Sequence, residues 1–194
     1  MSFVRLALWI PILAVALLGC GGGGDTTTII QQGPATETTA PAPAPLGEES
    51  EITTQGLGPV LAGMTLDEVE AAGNVQLTFE SGMDPACSYA TTPALADVSF
   101  MFVQGELARV DIRNPKIATL SGVKPGASEQ EVLDAYGDQI ERERNAYVPK
   151  GSYLSYVPES DTDPTRIVFE TDGQQVTYIR AGRLPEVGYI EGCS

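Results

Sequence analysis

The sequence has no histidine among its 194 residues. That removes Ser-His-Asp and Cys-His nucleophilic systems, the commonest general base, and zinc sites built on imidazole. Basic residues are scarce: 11 Lys+Arg stand against 26 Asp+Glu, a formal net charge of −15. A surface this negative repels phosphate backbones, so nucleic acid is not expected as a partner. The acidity reads instead as a means of keeping the folded part soluble. No phosphate loop is present, because the glycines at 21–24 are not followed by Lys-Ser/Thr or a helix start. Glu159, Asp161 and Asp163 lie close together. An EF-hand register there puts Arg166 where glycine is required and Asp172 where a bidentate glutamate belongs. The expectation is therefore no metal, no cofactor and no catalytic residue.

The one long apolar run is Leu6–Leu18, 13 residues. It follows Arg5 and ends in Leu17-Leu18-Gly19-Cys20. A positive residue, an apolar stretch too short to span a bilayer and a small residue before cysteine have the form of an export signal. The segment resembles the lipobox of bacterial lipoproteins. The resemblance implies removal of residues 1–19, lipid on Cys20, and a location on the cell membrane or outer membrane facing away from the cytoplasm. Residues 20–54 open, after Cys20, on four consecutive glycines and hold many threonines and an Ala-Pro alternation. Such a composition buries too little apolar surface to fold, so a tether is expected up to residue 54.

The folded part is expected to be α+β, made of two tandem units at 55–116 and 117–194. Gly63-Met64-Thr65-Leu66-Asp67-Glu68-Val69 recurs 63 residues later as Gly126-Ala127-Ser128-Glu129-Gln130-Glu131-Val132. Each copy opens with a capping box, Thr65 with Glu68 and Ser128 with Glu131. Each is followed by a glycine, Gly73 or Gly137, suited to a left-handed helix end. Four strand-like stretches follow each helix, with Gln104-Gly105 and Asp172-Gly173 as hairpin turns. Two such units can join edges into one continuous sheet with both helices on one face.

The repeated G-x-[ST]-x-x-E-V segment resembles the SmpA/OmlA (BamE-like) and β-lactamase-inhibitor-protein-like superfamily of bacterial envelope proteins. Gly63, Met64, Thr65, Glu68 and Val69 match its pattern, as do Gly126, Ser128, Glu131 and Val132, with Ala127 in place of methionine. The resemblance covers roughly residues 55–193. It implies helix-plus-sheet units in tandem and a role in gripping or supporting another protein.

With Cys20 assigned to lipid, Cys87 and Cys193 remain. An even remainder in an exported chain suggests a disulfide, the alternatives being two buried thiols or a redox pair. Six of the seven tyrosines fall between 136 and 189. Tyr153, Tyr156 and Tyr178 are candidate anchors for a protein partner, against the alternative of ordinary packing in half-buried strands. Tyr153 and Tyr156 are three apart, so a regular strand sends them to opposite faces. The function expected is a lipid-anchored, non-catalytic protein-binding domain. A small-molecule or glycan-binding module is the second reading, and a carboxylate-based hydrolase the third.

Overall fold

The computed structural model describes residues 44–160 and 162–194. Cys20, the leader and most of the tether lie outside the described residues. The described residues form one compact unit with a continuous core that runs from Leu46 to Ala181. The chain is α+β, as the alternation of periods implies.

Three two-residue strands come first: β1 Ile52–Thr53, β2 Gly56–Leu57 and β3 Val60–Leu61. Then come α1 Leu66–Gly73, β4 Thr78–Phe79, β5 Ser88–Thr92, β6 Leu95–Val103 and β7 Glu106–Ile112. The second half repeats the order: α2 Glu129–Tyr136, β8 Ile140–Arg144, β9 Ser152–Tyr156, β10 Thr165–Thr171 and β11 Val176–Arg183. β4–β11 make one eight-stranded antiparallel sheet in the order β4-β5-β6-β7-β11-β10-β9-β8. Each half is thus a helix and a four-stranded meander, and the last strands of the two meanders pair with each other.

The halves also share their register. The backbone of Gly63 and Met64 brackets Leu107 with two hydrogen bonds, and Gly126 and Ala127 bracket Val176 in the same way, all at 2.7–2.8 Å. Each meander carries an irregularity at the same place, between Met101 and Phe102 and between Glu170 and Thr171. Met101 stands opposite Tyr89, and Glu170 opposite Tyr153. Counting from Leu107 and Val176, Asp111 therefore matches Arg180, and these two face each other across the β7–β11 ladder. A local two-fold axis passes through that pair.

Strand alternation sorts the side chains. Phe100, Phe102, Val110, Ile112, Leu154, Ile167, Phe169 and Ile179 point to one face and meet Val69 of α1 and Val132 of α2 there. Both helices thus lie on the same face. The N-caps form as the sequence requires: Thr65 and Ser128 each share a capping box with the glutamate three residues on.

The structure differs from expectation in two places. The folded part begins before residue 55, inside the expected tether, since Leu46 and Ile52 are core residues. Ile52 donates its N–H to Ala118 O at 2.9 Å, and Leu46 touches the space a Cβ on Gly73 would need. Two apolar side chains in a polar stretch were outweighed by the composition around them. Second, α1 ends in the left-handed residue Asn74, φ 49°, not Gly73. Gly73 is required for close approach to Val60, Val75 and Leu46.

Candidate functional site

The sheet face away from the helices is where the chain departs from simple alternation. β7 reads Leu107-Ala108-Arg109-Val110-Asp111-Ile112, which puts Arg109 and Asp111 on the face that an antiparallel sheet ordinarily leaves to water. Both are buried, and so is Arg180 beside them, at 2%, 3% and 1% exposure. What covers them is the C-terminal segment. After β11 the chain turns through a short 3-10 helix, Glu186–Gly188, and crosses back over this face. Val187 packs there against Tyr153 and Val168. Cys193 then bonds Cys87, with Cα atoms 5.3 Å apart. The pairing expected from the cysteine count is therefore present, and it fixes the far end of the tail to the first half.

The tail satisfies the buried charges with backbone carbonyls. Arg109 donates to Glu186 O at 2.8 Å and Tyr189 O at 2.6 Å, and to the Tyr89 hydroxyl at 2.6 Å. Its Nη2 also donates to Asp111 Oδ2 at 3.1 Å, while Nε lies 2.8 Å from Oδ1 as an ion-pair contact without hydrogen-bond geometry. Arg180 forms no ion pair with a carboxylate among the described residues. It donates to Tyr189 O at 2.8 Å, and its guanidinium carbon lies 5.4 Å from the Tyr153 ring centroid and 5.8 Å from that of Tyr178. Gly182 stands opposite Arg109 in the ladder. A Cβ there would collide with Ala108 O and Arg109, so only glycine leaves room for the arginine.

These surroundings set the charges. Burial, then the Asp111 carboxylate, pushes the Tyr89 hydroxyl up to about 12, against partial relief from Arg109. Tyr178 is pushed higher still by the same two causes. Both hydroxyls stay protonated and can donate. Burial weighs against the charge on Arg109, but Asp111 and the tyrosines hold its pKa above the ordinary value. Arg180 is lowered by burial and by the neighbouring Arg109.

The three expected anchor tyrosines separate. Tyr153 is on the open face but lies under the tail, 4% exposed, with its hydroxyl donating to Asn145 Oδ1 at 3.2 Å. It is not available to a partner. Tyr156 points to the helix side, its ring centroid 4.6 Å from that of Tyr136. With Ile52, Leu120 and Ile167 it lines a cavity of about 240 Å³ there. Tyr178 alone is half-exposed on the open face, with the Arg113 guanidinium 3.8 Å above its ring. Beside it is an open depression of about 290 Å³ lined by Tyr89, Ser99, Asp111, Arg113, Ile190 and Gly192, among others.

Sequence reasoning missed Arg109, Asp111, Arg113 and Arg180. One signal was present: Ser88-Tyr89-Ala90-Thr91 recurs as Ser152-Tyr153-Leu154-Ser155, marking equivalent strands whose tyrosines flank the axis. Of the acidic stretch at 159–163, Asp163 caps its own loop, accepting from the Thr165 N–H at 2.8 Å and hydroxyl at 2.6 Å.

Fold and site together define a class: a two-fold-repeated α+β sheet, one face filled by helices, the other crossed by a disulfide-pinned tail. No protein-family model and no curated sequence matches the chain. Among solved structures, it is similar to the uncharacterized protein yfeY from Escherichia coli, at 15% identity and a TM-score of 0.45, covering 69% of this chain and 99% of that one.

Proposed function

We propose that this chain is a lipid-anchored envelope protein that acts by binding another protein through the open face of its sheet. Support comes chiefly from that face. On the eight-stranded sheet the tail presents Ile190, 44% exposed, beside the Arg113–Tyr178 pair, and Tyr189, 43% exposed, precedes it. Exposed aromatic, apolar and arginine side chains held by a fixed scaffold are what protein interfaces concentrate at their centres. The Leu17-Leu18-Gly19-Cys20 segment supports anchoring, and the repeated G-x-[ST]-x-x-E-V pattern supports kinship with the SmpA/OmlA and inhibitor-protein-like superfamily. A role in gripping a protein fits that kinship.

The test is a partner screen with the chain displayed on membranes, followed by alanine substitution. Tyr178→Ala is expected to cost about 2 kcal/mol or more, roughly a thirtyfold loss of affinity. The same change at Tyr156, on the helix side, is expected to act only through stability. Turnover of an envelope substrate, abolished by changing one carboxylate, would instead favour a hydrolase.

A second reading draws on the cavity lined by Ile52, Leu120, Tyr136, Tyr156 and Ile167. Its largely apolar walls suit a small hydrophobic ligand. Saturable protection of Tyr156 by such a ligand, with no effect at Tyr178, would favour it.

A further inference from the structure

Along the β7–β11 seam the open face carries three cross-strand neighbours in a row. Arg109 is opposite Gly182, and Asp111 opposite Arg180. Just beyond the last pair of the ladder, Ile112 with Ile179, Arg113 comes beside Tyr178. The first two pairs are sealed beneath the tail, and the third is not. The donors of Arg109 are taken up by Glu186 O, Tyr189 O, Tyr89 and Asp111. Arg113 is exposed, and among the described residues its guanidinium meets no acceptor. Stacking on Tyr178 holds the plane of the guanidinium without using its N–H groups, so the donors are oriented and free.

They border the depression of about 290 Å³, whose floor also holds the half-buried Ser99. We infer that this depression receives a single acidic side chain from the protein partner, with Arg113 as its bidentate donor. This rests on the protein-binding reading above. Three observations choose the ligand. The planar fork of arginine matches a carboxylate, with two parallel hydrogen bonds. Asp111 in the same depression is already paired with Arg109, and Glu191, which forms no ion pair among the described residues, adds a negative charge at its wall, so a phosphate dianion meets more repulsion than a monoanion. And Ile190 forms part of the wall, with Tyr189 exposed beside it, so the carboxylate arrives on something that also covers apolar surface, as a polypeptide does.

The Ile190–Gly192 wall belongs to the tail, so the receptor depends on the Cys87–Cys193 bond. Reducing the bond should weaken binding without touching Arg113.

The test uses the chain from residue 20 onward with Cys20→Ser, isotopically labelled for NMR. It is titrated with a blocked tripeptide carrying one glutamate, with its glutamine counterpart, and with benzoate as a free acid. The glutamate peptide is expected to shift the Arg113 side-chain signal and the Ser99 amide saturably. The glutamine peptide should bind about tenfold more weakly or worse, and so should the glutamate peptide to Arg113→Gln. Arg113→Lys should restore only part of the affinity, since it keeps the charge and loses the fork. Arg113 is exposed, so an unchanged melting temperature verifies that the variants fold. Equal binding of the glutamine peptide, unchanged affinity in Arg113→Gln, tighter binding of benzoate than of the peptide, or no saturable shift would each overturn the inference. A partner captured through Tyr178 while the titration fails removes only the carboxylate receptor. A positive titration without a captured partner counts against the protein-binding reading instead.

Discussion

At the scale of single residues, the centre of the open face holds the strongest constraints. Asp111 neutralises one of two buried arginines. Removing it leaves two guanidiniums under the tail facing carbonyls, the Tyr89 hydroxyl and tyrosine rings. Breaking a buried pair from one side is strongly destabilising, so Asp111→Ala is expected to cost about 3–5 kcal/mol, read from the urea midpoint. A loss below about 1 kcal/mol would mean that water already reaches the cluster. The helix caps are a milder case. Ser128→Ala should cost about 1 kcal/mol. Glu68 and Glu131 are held below the ordinary carboxylate value of 4.5, first by the backbone N–H of Thr65 or Ser128 and then by its hydroxyl. Groups lowered in the folded state stabilise it above their unfolded value and lose that contribution as pH falls through the lowered one. Between those two values the urea midpoint should fall less steeply in a Glu68→Gln, Glu131→Gln double variant than in the parent. Identical slopes would show that the caps carry no such linkage.

At the scale of elements, most of the plan was legible. Capping boxes announce both helices, the turn dipeptides Gln104-Gly105 and Asp172-Gly173 announce both inner hairpins, and four strand-like stretches after each helix match the eight strands of the sheet. β4 is the shortest, with only Thr78 and Phe79 pairing, although Val75, Leu77 and Phe79 alternate with polar residues as a longer strand would. What was not legible came from contacts remote in sequence. Arg109 and Asp111 alternate with apolar neighbours and read as a solvated face. Their burial depends on a tail some 75–80 residues later, and only the spacing of Cys87 and Cys193 hinted at its return. The three short strands at 52–61 were obscured because the first lies in a stretch whose composition reads as tether. The tail itself is testable. The disulfide closes a sequence separation of 106, for which chain entropy alone gives about 4.7 kcal/mol as an upper figure. A Cys87→Ser, Cys193→Ser double variant should lose part of that stability. It should also show fast amide exchange from Gly188 to Ser194 and accelerated proteolysis there. A tail as protected as in the parent would mean that Val187 and the arginine–carbonyl bonds suffice to hold it.

At the scale of the whole molecule, the two faces of the sheet divide the work. The helix side supplies the core, while the open side is a platform whose central charges are locked by the tail and whose rim stays accessible. Anchoring belongs to this scale too: Cys20→Ser is expected to shift the protein from the detergent phase to the aqueous phase and to abolish the lipid mass increment, and unchanged partitioning would count against the anchor. The most direct measurement of the binding reading is site-specific photocross-linking in intact cells, with the reactive group placed at Ile190 on the open face or at exposed Asp134 on α2. The expected result is one defined protein adduct from position 190, diminished by Tyr178→Ala, and none from position 134. Equal adducts from both positions, or none from position 190, would contradict a partner docked on the open face.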